Sequence, residues 1–211
     1  NIVPLDFALA RFISDSKIIP ENEKVAVVDI GSVKTIISII EDGRVDFTRE
    51  IAIGGDNVTE AMTAVLMMEK GRIELSKEDA ENMKKEYGIP KDIKMLAMIR
   101  PVLEKLASSI KGSLEYYEQY FHEAGVKKIV LAGNGSRLKG LKEYIARETG
   151  VEVAAILPED SGAIGLALSM GLNLNMLPEK FKSEDRKALK RFSVKMIAVI
   201  LGFILLFSYA L

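Results

Sequence analysis

The chain is predicted to fold as an α/β layer sandwich, and three observations carry that prediction. Three β-branched runs follow one another at residues 25–31, 35–41 and 45–53. From residue 56 onward, helical and strand patterns alternate. Two of the strands run directly into glycine turns. Successive strands followed by alternating helices and strands describe a sheet with helices packed on it. A run as apolar as Val25-Ala-Val-Val-Asp29-Ile suits a strand covered on both faces.

Short turns at 31–34 and at Asp42-Gly43 join the first three runs, and Asp-Gly between apolar runs is a hairpin signal. After Gly54-Gly55, Asp56 to Glu60 reads as a capped helix start that leads through 61–68. Ser76, with Asp79 three residues on, opens a second helix as a capping box, and Gly88 and Pro90 end it. A longer helix is expected over 99–124. Its apolar positions Val102, Leu103, Leu106, Ile110, Leu114, Tyr117 and Phe121 recur at helical spacing, and Gly125 closes it. A strand at 128–132, a helix at 138–148, a strand at 151–156 and a helix at 162–170 complete the pattern. Residues 6–13 also read as helix, and 172–191 as the one linker-like stretch.

Composition narrows the chemistry. The 211 residues carry a formal net charge of −1, which gives no reason to expect a nucleic-acid surface. With no cysteine there are neither disulfides nor thiolate metal sites, as suits a reducing cytoplasm. The single histidine, His122, falls late in a helical run and reads as a helix-surface residue, so a histidine-ligated zinc or a Ser-His-Asp triad is not expected. Carboxylate, hydroxyl and phosphate chemistry remain, and these suit Mg2+.

The chain begins at Asn1 inside a helical pattern and stops within an apolar run, so it is expected to be a fragment. That run, 196–211, is uncharged and about 16 residues long, or about 24 Å as a helix. Adding 192–195 brings it to about 20 residues, enough for a bilayer core of about 30 Å. Arg186, Lys187, Lys190, Arg191 and Lys195 precede it directly, the pattern of a cytoplasmic flank. We therefore expect one transmembrane helix at 192–211, set against the alternative of a buried core helix.

The two glycine turns are the candidate site. Asp29-Ile-Gly31-Ser32 with Thr35 ends the first strand, and Gly133-Asn134-Gly135-Ser136 ends the strand at 128–132. Glycine at such a turn removes the Cβ that would keep backbone amides from an anion. Each also has a plainer reading: Asp29 as a turn cap, Gly54-Gly55 as a strand-to-helix turn, Glu81 and Lys84 as an i,i+3 surface pair, and 133–136 as a simple strand-to-helix connection.

The order strand, Asp-Ile-Gly, two strands, Gly-Gly, helices and glycine loop resembles lobe II of the actin/Hsp70/sugar-kinase superfamily, which is ribonuclease H-like. Within it the chain is most similar to FtsA and especially to the type IV pilus assembly PilM family. Three stretches carry this: Val27-Val-Asp29-Ile-Gly31 with Thr35; Ile53-Gly54-Gly55-Asp56-Asn-Val-Thr59-Glu60 through Ala80-Glu81-Asn-Met-Lys84-Lys-Glu-Tyr-Gly88; and Ile129-Val-Leu-Ala-Gly133-Asn-Gly135-Ser136-Arg-Leu-Lys-Gly140. Ala163-Ile-Gly165-Leu-Ala-Leu168 resembles the family's last helix.

The resemblance implies ATP and Mg2+ as cofactors. Gly31 and Ser32 would present amides to the β- and γ-phosphates, with Thr35 nearby, and Asp29 would face Mg2+ through water as the catalytic carboxylate. Glu81 and Lys84 would reach ribose and adenine, and Gly133, Asn134, Gly135 and Ser136 would lie against the purine. Asn134 stands where glycine is usual, and Lys139 where proline is common. The family binds nucleotide between two lobes. The first lobe would precede Asn1, and hydrolysis by this half of the cleft alone is not expected.

Leu174, Asn175, Met176, Leu177 and Pro178 resemble the motif with which PilN, a single-span protein, docks on PilM; an ordinary linker is the alternative. The implied organisation is a connecting-helix end at 1–24, lobe II at 25–171, docking motif and basic flank at 172–191, and the span at 192–211. The implied function is a membrane-tethered, ATP-binding scaffold of the pilus platform in the bacterial inner membrane. PilN- and PilO-like partners, the bilayer and further copies would be its neighbours. A GspL-like secretion subunit and an FtsA-like division anchor are the rivals. An actin-like sugar or acetate kinase has no use for a terminal span.

Overall fold

The computed structural model describes residues 2–20, 23–63, 66–68, 71–73, 75–121 and 125–169, with Met176 and Pro178. The elements are α1 (Leu5–Ser16), β1 (Val25–Ile30), β2 (Thr35–Glu41), β3 (Arg44–Ile51), α2 (Gly55–Met62), β4 (Leu66–Met68), β5 (Gly71–Ile73), α3 (Lys77–Tyr87), α4 (Ile93–Phe121), β6 (Lys128–Ala132), α5 (Leu141–Thr149), β7 (Glu152–Ile156) and α6 (Ser161–Leu168). They lie in one compact unit, Pro4–Met170. In the second unit, which holds Asn1–Val3 and Gly171–Leu211, the Met176 amide donates to the Ile2 carbonyl at 2.9 Å.

Five strands form a mixed sheet in the order β3-β2-β1-β6-β7. β1 pairs antiparallel with β2 and parallel with β6, whose other neighbour, β7, is also parallel. Alternation along β1 divides the core in two. Ala26, Val28 and Ile30 join Ile37, Ile39, Ile129 and Leu131 in a cluster with α2, α3, α4 and α5. Val25 and Val27 join Ile40, Val130 and Ala132 in a second cluster under Leu9, Ala10, Phe12 and Ile13 of α1. Each fully buried Ile or Leu of these clusters contributes about 1.5–3 kcal/mol of transfer free energy. On the second face α1 and α6 cross at Gly165, where a Cβ would stand 1.9 Å from the Ala8 carbonyl oxygen. Only glycine allows that approach.

Several expected bounds shift, each for a local reason. The helix expected through 68 ends at Met62, and Leu66–Met68 instead pairs with Gly71–Ile73 as a hairpin. Thr63 stops the helix: its hydroxyl bonds back to the Glu60 carbonyl at 2.7 Å. The long helix starts at Ile93, not 99, because the Asp92 carboxylate accepts the amides of Lys94 and Met95 at 3.0 Å. Pro101 lies inside it at an exposed position, where solvent can take the carbonyl that loses its donor. A 3-10 turn (Asn134–Arg137) precedes α5, and Gly140, at φ 87°, delays that helix to Leu141 rather than 138. Ser76 caps α3 as expected, accepting the Asp79 amide at 3.1 Å.

His122 and residues 192–211 lie outside the described residues, so the structure does not bear on the readings made of them. Among the described residues no helix is long and apolar enough to cross a membrane.

Candidate functional site

Both glycine turns lie at the same end of the sheet, because Asp29 of β1 pairs with Ala132 of the parallel β6. Beside them opens a cleft of about 530 Å3. Gly31, Ser32, Gly54, Gly55, Glu81, Lys84, Asn134 and Gly135 line it, opposite an apolar wall of Val102, Leu103, Leu106, Leu138 and Leu141 from α4 and the α5 entry. Three stretches far apart in sequence thus meet on one cavity.

The 31–34 turn is held from two sides. The Gly31 amide donates to the Lys34 carbonyl at 2.9 Å, closing the turn. The Gly31 and Ser32 carbonyls accept the Gly55 and Asp56 amides, the first of α2, at 2.9 and 2.8 Å. Gly54 is required at this junction, since a Cβ there would lie 2.3 Å from the Ser32 carbonyl oxygen. The strand-to-helix reading of Gly54-Gly55 thus describes what these residues do here. Gly31 cannot offer its amide to an anion without opening the turn. The Ser32 amide makes no hydrogen bond among the described residues and stays available. Thr35 is fully buried and is not part of the cleft lining; its hydroxyl donates to the Ile53 carbonyl at 2.7 Å.

Asp29 sits beneath the second turn. It is half-buried, and among the described residues its carboxylate has no hydrogen bond or ion pair. Burial raises its pKa from the ordinary carboxylate value. Gly133 packs on it so closely that a Cβ would stand 2.3 Å from its Oδ1. Gly135 lies as tightly over Ile30, while Ser136 is buried and donates to the Gly133 carbonyl at 2.6 Å. Of the four loop residues, Asn134 and Gly135 face the cleft; Gly133 and Ser136 build the turn beneath it.

Glu81 and Lys84 are tied together at 2.5 Å, within the cleft lining and not out on a free surface. The Lys84 ammonium also donates to the Thr59 hydroxyl and the Gly55 carbonyl at 2.7 and 3.1 Å, and Thr59 donates to Glu81 Oε2 at 2.6 Å. Burial raises the Glu81 pKa, but the bonds from Lys84 and Thr59 outweigh it and bring the group to about 2. Ionised Glu81 therefore stabilises the fold at neutral pH, and that contribution is lost as pH falls from about 4.5 to about 2. Glu81→Gln is expected to cost about 1 kcal/mol at pH 7. The deficit should close as wild type and variant are compared in urea at successively lower pH.

Sequence reasoning did not single out Arg137 and Glu159, paired at 3.2 Å at the cleft rim, or Thr59 beneath Lys84. The Ser-Arg after the glycine loop was the one available signal for Arg137; nothing local marks Glu159 as its partner. Among the described residues no three acidic or histidine side chains converge. The carboxylates of the cleft lining, Glu81 and Glu159, are both engaged by cationic side chains, and Asp29 lies outside the lining. A divalent cation at the glycine turns would have Asp29 as its one unengaged carboxylate and complete its shell with phosphate oxygens and water, an arrangement Mg2+ commonly accepts.

Residues 7–168 match the model of the family described as type IV pilus assembly protein PilM. Among solved structures, the PilM-PilN type IV pilus biogenesis complex superposes with a TM-score of 0.64 at 23% identity, over 80% of this chain and 52% of that one. The ethanolamine utilization protein EutJ from Carboxydothermus hydrogenoformans gives 0.54 at 25% identity, over 75% and 53%. MreB 5 of Spiroplasma citri, bound to AMPPNP, gives 0.60 at 14%, over 87% and 60%. The chain thus spans about half of the first two of these proteins, and what they share with it is the actin-like fold.

Proposed function

Since this chain belongs to the PilM family of type IV pilus assembly proteins, we propose that it is an actin-like, nucleotide-binding scaffold of the pilus inner-membrane platform. Nucleotide acts as a ligand that biases partner docking. The observation that carries the reading is the convergence of the Ser32 turn, the Glu81–Lys84 pair and Asn134-Gly135 on one cleft. The Asp29 carboxylate, unpartnered among the described residues, lies under Gly133 of the adjoining loop, outside the cleft lining. The solved structure of MreB 5 with AMPPNP supports it from the side of the fold. In this proposal Ser32 presents its amide to phosphate, Glu81 and Lys84 meet the ribose, and Asn134 and Gly135 lie against the base. Asp29 holds a bound Mg2+, whose charge offsets the phosphates.

A PilN-like protein is the proposed partner, as in the PilM-PilN complex. Leu174 through Pro178 would serve as a docking peptide, although of these only Met176 and Pro178 are among the described residues. Residues 192–211 would anchor the chain in the inner membrane with residues 1–191 in the cytoplasm. Calorimetric titration of Mg·ATP into the intact chain tests the nucleotide reading. Micromolar binding that Asp29→Asn abolishes is expected. Binding of equal strength in wild type and variant overturns the role of Asp29, and no heat in either overturns the nucleotide reading.

A further inference from the structure

A chain of contacts closes on itself around the cleft. The 31–34 turn is bonded to the start of α2 through the Gly55 and Asp56 amides. α2 is bonded to α3 through Thr59, Glu81, Lys84 and the Gly55 carbonyl. The glycine loop packs back on Asp29 and Ile30 through Gly133 and Gly135. The remaining link, from the end of α3 to that loop, runs through Lys139. Its backbone carbonyl accepts the Ile89 amide at 3.0 Å, and its ammonium donates to the Glu86 carbonyl at 2.5 Å. Gly88, at φ 72°, is there because a Cβ would lie 2.4 Å from the Lys139 carbonyl oxygen. Lys139 is itself exposed and lines no part of the cleft.

We propose that Lys139 is a positioning residue for the base end of the nucleotide cleft, an assignment that rests on the nucleotide reading above. A cation at the last turn of a helix meets the carbonyls that have no intrahelical donor and the negative end of the helix dipole. Here that common interaction has a further effect, because the helix it holds carries Glu81 and Lys84, and the loop that supplies it carries Asn134 and Gly135. Lys139 thus fixes the separation between the two groups that would flank ribose and base. The phosphate end is held directly by the bonds between the 31–34 turn and α2, and among the described residues the ammonium bonds to neither.

The test compares wild type, Lys139→Met and Lys139→Arg as intact chains, titrated with Mg·ATP and with inorganic tripolyphosphate, which lacks ribose and base. Lys139→Met keeps the backbone bond to Ile89 and, at an exposed site, leaves the fold intact. The expected result is a threefold to fivefold loss of ATP affinity in Lys139→Met, recovery in Lys139→Arg, and unchanged tripolyphosphate binding. Hydrogen exchange at the Gly88 and Ile89 amides should quicken in the methionine variant alone. Equal ATP affinity in all three, equal loss of both ligands, or unaltered exchange overturns the assignment to Lys139. If wild type itself takes up no ATP, the nucleotide reading falls first and this one with it.

Discussion

Gly133→Ala is expected to destabilise the protein by about 3 kcal/mol or more and, on the proposed function, to abolish nucleotide binding. Gly133 has φ 78° and ψ 161°, a region essentially reserved for glycine, where another residue costs about 1–3 kcal/mol in backbone strain. The added methyl would also stand 2.3 Å from Asp29 Oδ1 and 2.5 Å from the Ile30 carbonyl oxygen. Overpacking of this kind adds about 1–3 kcal/mol. For a domain of this size the loss corresponds to roughly 6–12 °C in melting temperature. Gly150→Ala is the natural control. Gly150 also has positive φ, 74°, but a Cβ there meets nothing within 4 Å, so only the backbone cost of about 1–2 kcal/mol remains. Equal thermal shifts in the two variants would refute the close packing of Gly133 on Asp29.

Asp29→Asn is expected to do the opposite to stability while also, on the proposed function, ending Mg2+-dependent nucleotide binding. The carboxylate is partly desolvated with no partner among the described residues, so its ionised form costs free energy in the folded state. Its folded pKa lies above the ordinary 3.8. Stability that depends on its protonation is therefore fully present below about 3.8 and is lost as pH rises through the folded value. The amide removes that cost, so at pH 7 the variant should melt higher by about 2–4 °C, for about 1 kcal/mol. The gain should shrink as the pH is lowered and vanish near pH 3. Thermal unfolding at several pH values measures this directly. A variant less stable than wild type at pH 7 would show that Asp29 holds the fold together and is not a group kept ready for a ligand.

Set beside Glu81, Asp29 shows what pairing does to a carboxylate in the same neighbourhood. One is drawn down to about 2 by a lysine and a threonine, the other pushed up by burial alone. Neither outcome is written in the local sequence. Glu81 and Lys84 could be placed on one face of α3 from their spacing, but Thr59, which bonds both, comes from another helix. The β1 and β2 runs and the Ser76 cap were legible because burial on both sheet faces and a side chain over its own helix start are decided within a few residues. The true start of α4 was hidden because the regular apolar spacing begins only near Val102, while the turn that Asp92 caps starts at Ile93, six residues before the expected position. The use of the Gly31 amide inside its own turn was hidden too, since a glycine marks where backbone can approach, not which partner takes its hydrogen bond.

The crossing of α1 and α6 at Gly165 governs how the unit bears tension. The helix that opens it and the helix that closes it lie against each other, with Gly162 beside Leu5 and Gly165 beside Ala8. Because α6 has eight residues, the chain enters and leaves within about 12 Å along one helix pair. A pull applied through the two ends acts across that pair. The five-stranded ladder and the cleft on its far side are then expected to take load only after that pair separates.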